Sequence, residues 1–310
     1  MARPTPLSGF PEWLPAQRIA EQQVLDRLRR TFELWGFASV ETRAVEPVEQ
    51  MLRKGEIDKE VYVLRRLHAD PGSGDSDLGL HFDLTVPFAR YVLENAGHLH
   101  FPFKRYQIQR CWRGERPQEG RYREFTQADV DVVGDGSLAF HHDVDVAAVM
   151  AEALGSLDLP PLTMQVNNRK LIEGFYRGVG APDTGAVMRA VDKLDKVRPA
   201  AVRELLLGAG LTDAQAEQCL ALASISSTDL SFVDDVRALG VSDDLLEVGL
   251  AELAAVIEGA AGIGGAQVSV VADLRIARGL DYYTGTVYET RMAGFEHIGS
   301  ICSKPAIRVS

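Results

Sequence analysis

Apolar residues recur at helical spacing over residues 15–36, where Val24, Leu25, Leu28, Phe32 and Trp35 fall together between Arg, Glu and Gln. That spacing predicts an amphipathic helix stopped by Gly36, and FASVET (residues 37–42) reads as a strand after it. Residues 58–67 and 78–85 read as two further strands, joined by a Gly-, Ser- and Asp-rich turn over 68–77. A helix is expected through VPFARYVLEN (86–95), and helices again over 143–155 and 168–178.

Composition then shifts. From about Asn168 to Gly265 Ala, Leu, Asp and Glu dominate, with helical periodicity in AVRELLLGAG, DAQAEQCLALA and DDLLEVGLAELAAVIEGAAG. Arg169, Lys170, Arg177, Arg189, Lys193, Lys196, Arg198 and Arg203 make the first half of this block basic, and the second half is acidic. Strand character returns in QVSVVADL and YTGTVYET. Strands before and after a helical block predict an α+β fold, its strands pairing in an antiparallel sheet with the block as an all-helical insertion. The domain boundaries that follow are 1–167, 168–265 and 266–310.

Charge narrows the choice of partners. The 310-residue chain carries a formal net charge of −11, whereas a protein that grips nucleic acid by bulk electrostatics is usually basic. Charge alone therefore favours a small-molecule enzyme, and any RNA contact has to be a local patch. No apolar run approaches the ~20 residues of a membrane-spanning helix, and the N-terminal residues lack a secretory apolar core, so a cytoplasmic protein is expected. Cys111, Cys219 and Cys302 form no CxxC unit, which argues against a structural zinc and a disulfide framework. His98, His100 and the pair His141–His142 read as surface or helix-end histidines without carboxylate partners at ligand spacing, so no metal site is assigned.

The segment 103–134, FKRYQIQRCWRGERPQEGRYREFTQADVDVVG, holds two strand-like runs around a loop from Gly114 to Gly120. In the second run the odd positions Arg121, Arg123, Phe125, Gln127, Asp129 and Asp131 fall on one face, if no bulge breaks the alternation. The row is ordered by type: cations, then an aromatic ring, then acceptors. It matches either a ligand with a polyanionic end, a flat ring and a donor-bearing end, or a merely solvated face.

RGERPQEGRYREFTQADVD resembles motif 2 of class II aminoacyl-tRNA synthetases in the form found in histidyl-tRNA synthetases. IARGLDYYTGTVYE (276–289) resembles a signature of the same family, and FDLTVPFARY (82–91) and VNNRKLIEGF (166–175) match further segments in the family's order. The resemblance implies a histidine–tRNA ligase that activates L-histidine with ATP and magnesium, transfers it to tRNA(His), and forms a homodimer. It assigns Arg113 and Arg278 to the α-phosphate and the substrate carboxylate, Arg121 to the outer phosphates, Glu115 to the adenine amino group and Phe125 to the adenine ring. A guanidinium suits such a site because its planar fork donates two hydrogen bonds to phosphate or carboxylate. The family match further puts Asp83, Thr85 and Gln127 on the ammonium, and Asp131 with Tyr282 and Tyr283 around the imidazole.

After GFEHIGSICS the chain reads KPAIRVS, where the family continues into a Gly-rich strand, motif 3 and an anticodon-binding domain. The expectation is a truncated catalytic domain, with a regulatory paralogue of histidine biosynthesis (the ATP phosphoribosyltransferase regulatory subunit) as the alternative. Because the histidine-facing residues are present and part of the adenine site is not, calorimetry should find histidine binding retained and ATP binding weak. Equal loss of both would refute this, and pyrophosphate exchange should be weak.

Overall fold

A computed structural model describes residues 5–52, 60–68, 78–276 and 284–305. By its internal packing the chain divides into two compact units, Met1–Leu138 and Ala139–Ser310.

In the first unit, α1 (Pro15–Leu34) opens with a proline whose fixed φ suits a first helical turn, and Gly36 ends it at φ 77°. The strands β1 (Ala38–Ser39), β2 (Val45–Pro47), β3 (Val63–Leu64) and β4 (Leu78–Leu80) are short, with α2 (Val48–Leu52) between β2 and β3. Next come α3 (Thr85–Asn95), β5 (Phe103–Trp112) and β6 (Glu124–Val133). Two three-stranded sheets result, β1-β5-β6 and β2-β4-β3. The expected strand over 78–85 stops at Leu80, and the expected 58–67 strand is two residues long. Most of the expected turn at 68–77 lies outside the described residues. Helix α1 covers the even face of the β5–β6 hairpin. Phe32 packs on Tyr106 with ring centroids 5.8 Å apart, and the Tyr106 hydroxyl donates to Glu33 Oε1 at 2.7 Å.

The second unit opens with α4 (His141–Gly155) and β7 (Leu162–Asn168). Helices α5 (Arg169–Gly178), α6 (Thr184–Val191), α7 (Pro199–Gly208) and α8 (Asp213–Ala223) follow, then the two-residue strand β8 (Ser226–Ser227), α9 (Ser231–Ala238) and α10 (Asp244–Ala260). It closes with β9 (Val268–Asp273), β10 (Thr286–Met292) and β11 (Cys302–Pro305), giving a sheet of order β11-β10-β7-β9-β8. Strand β7 has no counterpart among the strands that the sequence pattern predicts. It is central nonetheless: Leu162, Met164 and Val166 are buried on one face, while Gln165 and Asn167 occupy the other. So polar a second face hides a strand from a search for apolar runs. Most pairings are antiparallel as expected, but β1–β5 and β7–β9 are parallel. Pro305 ends the edge strand β11, the kind of position in a sheet where a residue without an N–H is found. One hydrophobic core joins the helices to β7, β9 and β10, from Ala147 through Phe175, Leu206, Phe232 and Leu250 to Tyr288.

A closed polar circuit ties the helical residues to the sheet. Gln165 Nε2 donates to Asp273 Oδ2 at 2.5 Å and its Oε1 accepts from Arg291 Nε at 3.0 Å. Arg291 pairs with Asp195 at 3.0 Å, Asp195 with Arg275 at 3.6 Å, and Arg275 returns to Asp273 at 3.3 Å.

Helices α5 and α10 cross in near-backbone contact at two glycines. A Cβ on Gly174 would stand 2.2 Å from the Leu246 nitrogen, and one on Gly249 would stand 2.1 Å from the Leu171 nitrogen. Gly249→Ala should therefore lower stability by about 1–3 kcal/mol through overpacking, read as a lower urea midpoint at unchanged slope. Gly208→Ala, at a helical glycine whose Cβ would meet nothing within 4 Å, should be neutral or stabilising. Equal midpoints for the two variants would disprove the contact.

The three thiols differ in access: Cys111 and Cys219 are buried and Cys302 is partly exposed. Burial pushes the Cys219 thiol up to about 12 and raises Cys111 further, so neither offers thiolate near neutral pH. A thiol reagent at pH 8 should modify Cys302 alone before unfolding and all three after it.

Candidate active site

The β5–β6 hairpin is paired without interruption from Phe103↔Val133 to Trp112↔Glu124. No bulge intervenes, so Phe125, Gln127, Asp129 and Asp131 share one face of β6, opposite Cys111, Gln109, Gln107 and Arg105 of β5. The expected row of six shortens to four. Strand β6 begins at Glu124, and Arg121 and Arg123 lie in the connecting loop rather than in the alternation. There Arg121 exchanges backbone hydrogen bonds with Gln118, while Arg123 donates to the Glu115 carbonyl at 3.1 Å.

Arg113 follows β5 immediately, and its backbone N–H donates to the Arg123 carbonyl at 2.8 Å. Its side chain is fixed at two points. Nε donates to the Phe82 carbonyl at 3.0 Å, and the guanidinium carbon lies 5.1 Å from the centroid of the Phe125 ring. The first contact brings in the start of α3, because Asp83 and Thr85 follow Phe82. Asp83 is buried, and its Oδ1 accepts from the Val86 N–H at 3.2 Å, capping the helix. The neighbouring His81 is stitched to β5: its carbonyl accepts from Trp112 N–H at 3.1 Å, and its Nε2 donates to the Arg110 carbonyl at 2.6 Å. Glu115 and Arg121 pair across the loop at 3.6 Å.

The acceptor end is built around Arg105. Its guanidinium is wholly buried, 3.0 Å from Asp129 Oδ2, in closer contact with Asp131 Oδ2, and 4.2 Å from the centroid of Phe88 on α3. Gln107 donates to Thr42 Oγ1 at 2.9 Å and to Gln109 Oε1 at 2.6 Å. Cys111 donates to Gln127 Oε1 at 3.6 Å. Burial raises the Cys111 thiol, the nearby Asp83 carboxylate raises it further, and Arg113 opposes both. Charges from Asp83 ahead of α3, Arg113 after β5 and Asp129 on β6 thus act on the one thiol.

The structure therefore gathers Asp83, Thr85, Arg113, Phe125, Gln127 and Asp131 around the hairpin face and the start of α3, with Glu115 and Arg121 in its loop. Arg278, Tyr282 and Tyr283 lie outside the described residues. Sequence reasoning passed over Arg105, Gln107 and Gln109. Their signal was present as polar residues alternating with Tyr106 and Ile108 in β5, and it becomes readable only once the two runs are paired. The histidine reading also needs correction. Asp145 Oδ2 lies 3.3 Å from His142 Nδ1, and His141, His142 and Asp145 present ligand-type atoms within 4.8 Å of one another. They sit in the first turns of α4, where the helix dipole opposes a cation. Among the described residues no helix is long and apolar enough to cross a membrane.

Comparison with known proteins places the whole chain. A histidine–tRNA ligase of Cutibacterium acnes is 62% identical over 311 residues, covering 98% of this chain and 68% of the relative. The corresponding protein of Micrococcus luteus is 61% identical with the same coverage. The crystal structure of histidyl-tRNA synthetase from Nostoc sp. PCC 7120 superposes with a TM-score of 0.84 at 33% identity, over 98% of this chain and 68% of that one. A Bacillus halodurans structure titled as an ATP phosphoribosyltransferase regulatory subunit/histidyl-tRNA synthetase shares the fold, with a TM-score of 0.81 at 21% identity. Residues 9–297 match the family model described as histidyl-tRNA synthetase, and with relatives this similar along nearly its whole length the chain belongs to that family.

Proposed function

We propose that the chain carries out the histidine–tRNA ligase reaction, in which the carboxylate of L-histidine attacks the α-phosphate of ATP and histidine then passes to tRNA(His). One observation carries the reading: a chain 62% identical to a histidine–tRNA ligase directs Arg113, Asp83 and the row Phe125, Gln127, Asp131 to one hairpin face. The regulatory alternative has weaker support, since the likeness at 21% identity concerns the fold alone.

In this reading Arg113 draws the substrate carboxylate and the α-phosphate together and offsets the negative charge that builds on the phosphoryl oxygens. Its fixed Nε leaves the rest of the fork to face the reacting groups. Phe125 supplies the surface for the adenine ring, Arg121 takes the outer phosphates, and Glu115 accepts from the adenine amino group. ATP enters as its magnesium complex, the ion being carried by phosphate oxygens and water. Asp83, Thr85 and Gln127 take the ammonium, Asp131 the imidazole N–H, and Arg278, Tyr282 and Tyr283 complete the set. A buried carboxylate discriminates well, because a side chain lacking the donor leaves it unmatched. Residues 168–265 serve as the helical insertion, its basic first half being a candidate contact for the tRNA acceptor end. The protein acts in the cytoplasm as a homodimer.

Arg113→Ala should lower histidine-dependent ATP–pyrophosphate exchange by about 10²–10³-fold, the usual loss for one donor on a developing oxyanion. Asp131→Ala should abolish calorimetrically detected histidine binding while leaving the fold intact. Unchanged exchange and unchanged binding in both variants would leave the ligase reading without its machinery.

A further inference from the structure

His81 is wholly buried, and among the described residues its ring makes one hydrogen bond, from Nε2 to the Arg110 carbonyl at 2.6 Å. Nδ1 has no partner there, so the ring hydrogen sits on Nε2, the nitrogen that has an acceptor. Buried polar atoms are seldom left unmatched. Packing against Trp112, whose ring centroid lies 5.6 Å away, would be served by an apolar side chain with no atom to satisfy. The residue is a histidine for the sake of Nε2.

What Nε2 supplies is a donor at a strand edge. Trp112 gives its N–H to the His81 carbonyl at 3.1 Å, so the backbone groups of Arg110, two residues back, point to that same edge, away from β6. Strand β1 covers this edge at Tyr106, whose carbonyl accepts from the Val40 N–H at 2.9 Å. At Arg110 the imidazole stands in for a neighbouring strand. The His81 N–H also donates to the Ala44 carbonyl at 2.9 Å, so residue 81 is fastened at three points. The next carbonyl along the chain, that of Phe82, is the one that accepts from Arg113 Nε at 3.0 Å.

We propose that His81 is a positioning residue for Arg113. Through Nε2 it sets the Phe82 carbonyl, and with it the direction in which the guanidinium fork meets the ligand carboxylate. The proposal rests on the reading of Arg113 as the arginine on that carboxylate. It makes preference for a free amino acid depend on a side chain that touches no ligand.

L-Histidine and L-histidinol separate this role from a structural one, because histidinol keeps the ammonium and the imidazole but has an alcohol in place of the carboxylate. Both are titrated by calorimetry. The unaltered chain should bind L-histidine more tightly. His81→Leu should weaken L-histidine by about tenfold, the worth of a hydrogen bond to a charged group, and leave histidinol unchanged. His81→Gln, whose amide nitrogen reaches about as far as Nε2, should keep the preference. His81→Asn, whose amide ends near the place of Nδ1, should lose it. A loss shared equally by the two ligands, or an asparagine that serves as well as a glutamine, overturns the proposal. The Gln and Asn variants decide the matter if the leucine variant does not fold. Two NMR measurements need no ligand. The ring nitrogens of the unaltered chain should report hydrogen on Nε2, and the Arg113 Nε–H should exchange with water faster in His81→Asn than in the unaltered chain. Hydrogen on Nδ1, or unchanged exchange, overturns the proposal as well. A chain that binds L-histidine no better than histidinol would instead sink the reading of Arg113, and the exchange of its Nε–H would still decide what His81 does.

Discussion

The site depends on the register of one hairpin. Ten consecutive residue pairs join β5 to β6, from Phe103↔Val133 to Trp112↔Glu124, and side-chain direction in a strand has a period of two. Shift β6 by one residue along β5 and Asp131, Gln127 and Phe125 turn toward α1, while Val130 leaves the core. The register is held from both sides. On the even face Tyr106 packs on Phe32 and bonds to Glu33, and on the odd face Arg105 bonds to the two aspartates. Apolar burial on one side and charge pairing on the other select the same alignment, so neither face can slip alone.

Much of this was legible in the chain. Helix α1 lies where the spacing of Leu25, Leu28 and Phe32 puts it, and α3 and β6 also fall near their expected places. That Phe125, Gln127, Asp129 and Asp131 share one face followed from alternation, whereas Asp83 and Thr85 came from the motif and lie at a helix start rather than on the expected strand. What escaped was pairwise. Arg105 reads as a surface charge until Asp129 and Asp131 are placed opposite it, and partner identity across strands is not a local property of either run. Strand β7 escaped for a related reason: its Gln165, Asn167 and Asn168 are buried because side-chain partners such as Asp273 and Glu252 satisfy them. His142 was misjudged because Asp145 is its neighbour one helical turn on.

The helical block of the second unit is held by two kinds of contact, one between its own helices and one to the sheet. The glycine crossing of α5 and α10 is apolar and steric, and it tolerates no added atom. Asn168 shows how the polar kind works locally: its Oδ1 caps α5 through the Lys170 N–H at 2.9 Å, while its Nδ2 donates to Glu252 on α10.

The circuit through Asp273, Gln165, Arg291, Asp195 and Arg275 has a different character, because its two arginines are 32% and 42% exposed. Mobile ions reach such pairs, and at ~0.15 M salt the screening length is only about 8 Å. The hold of the turn at Asp192–Asp195 on the sheet is thus graded by ionic strength, whereas the glycine crossing is indifferent to salt. Two fastenings of one helical block answer to different solvents: potassium chloride loosens the first, and only a denaturant opens the second.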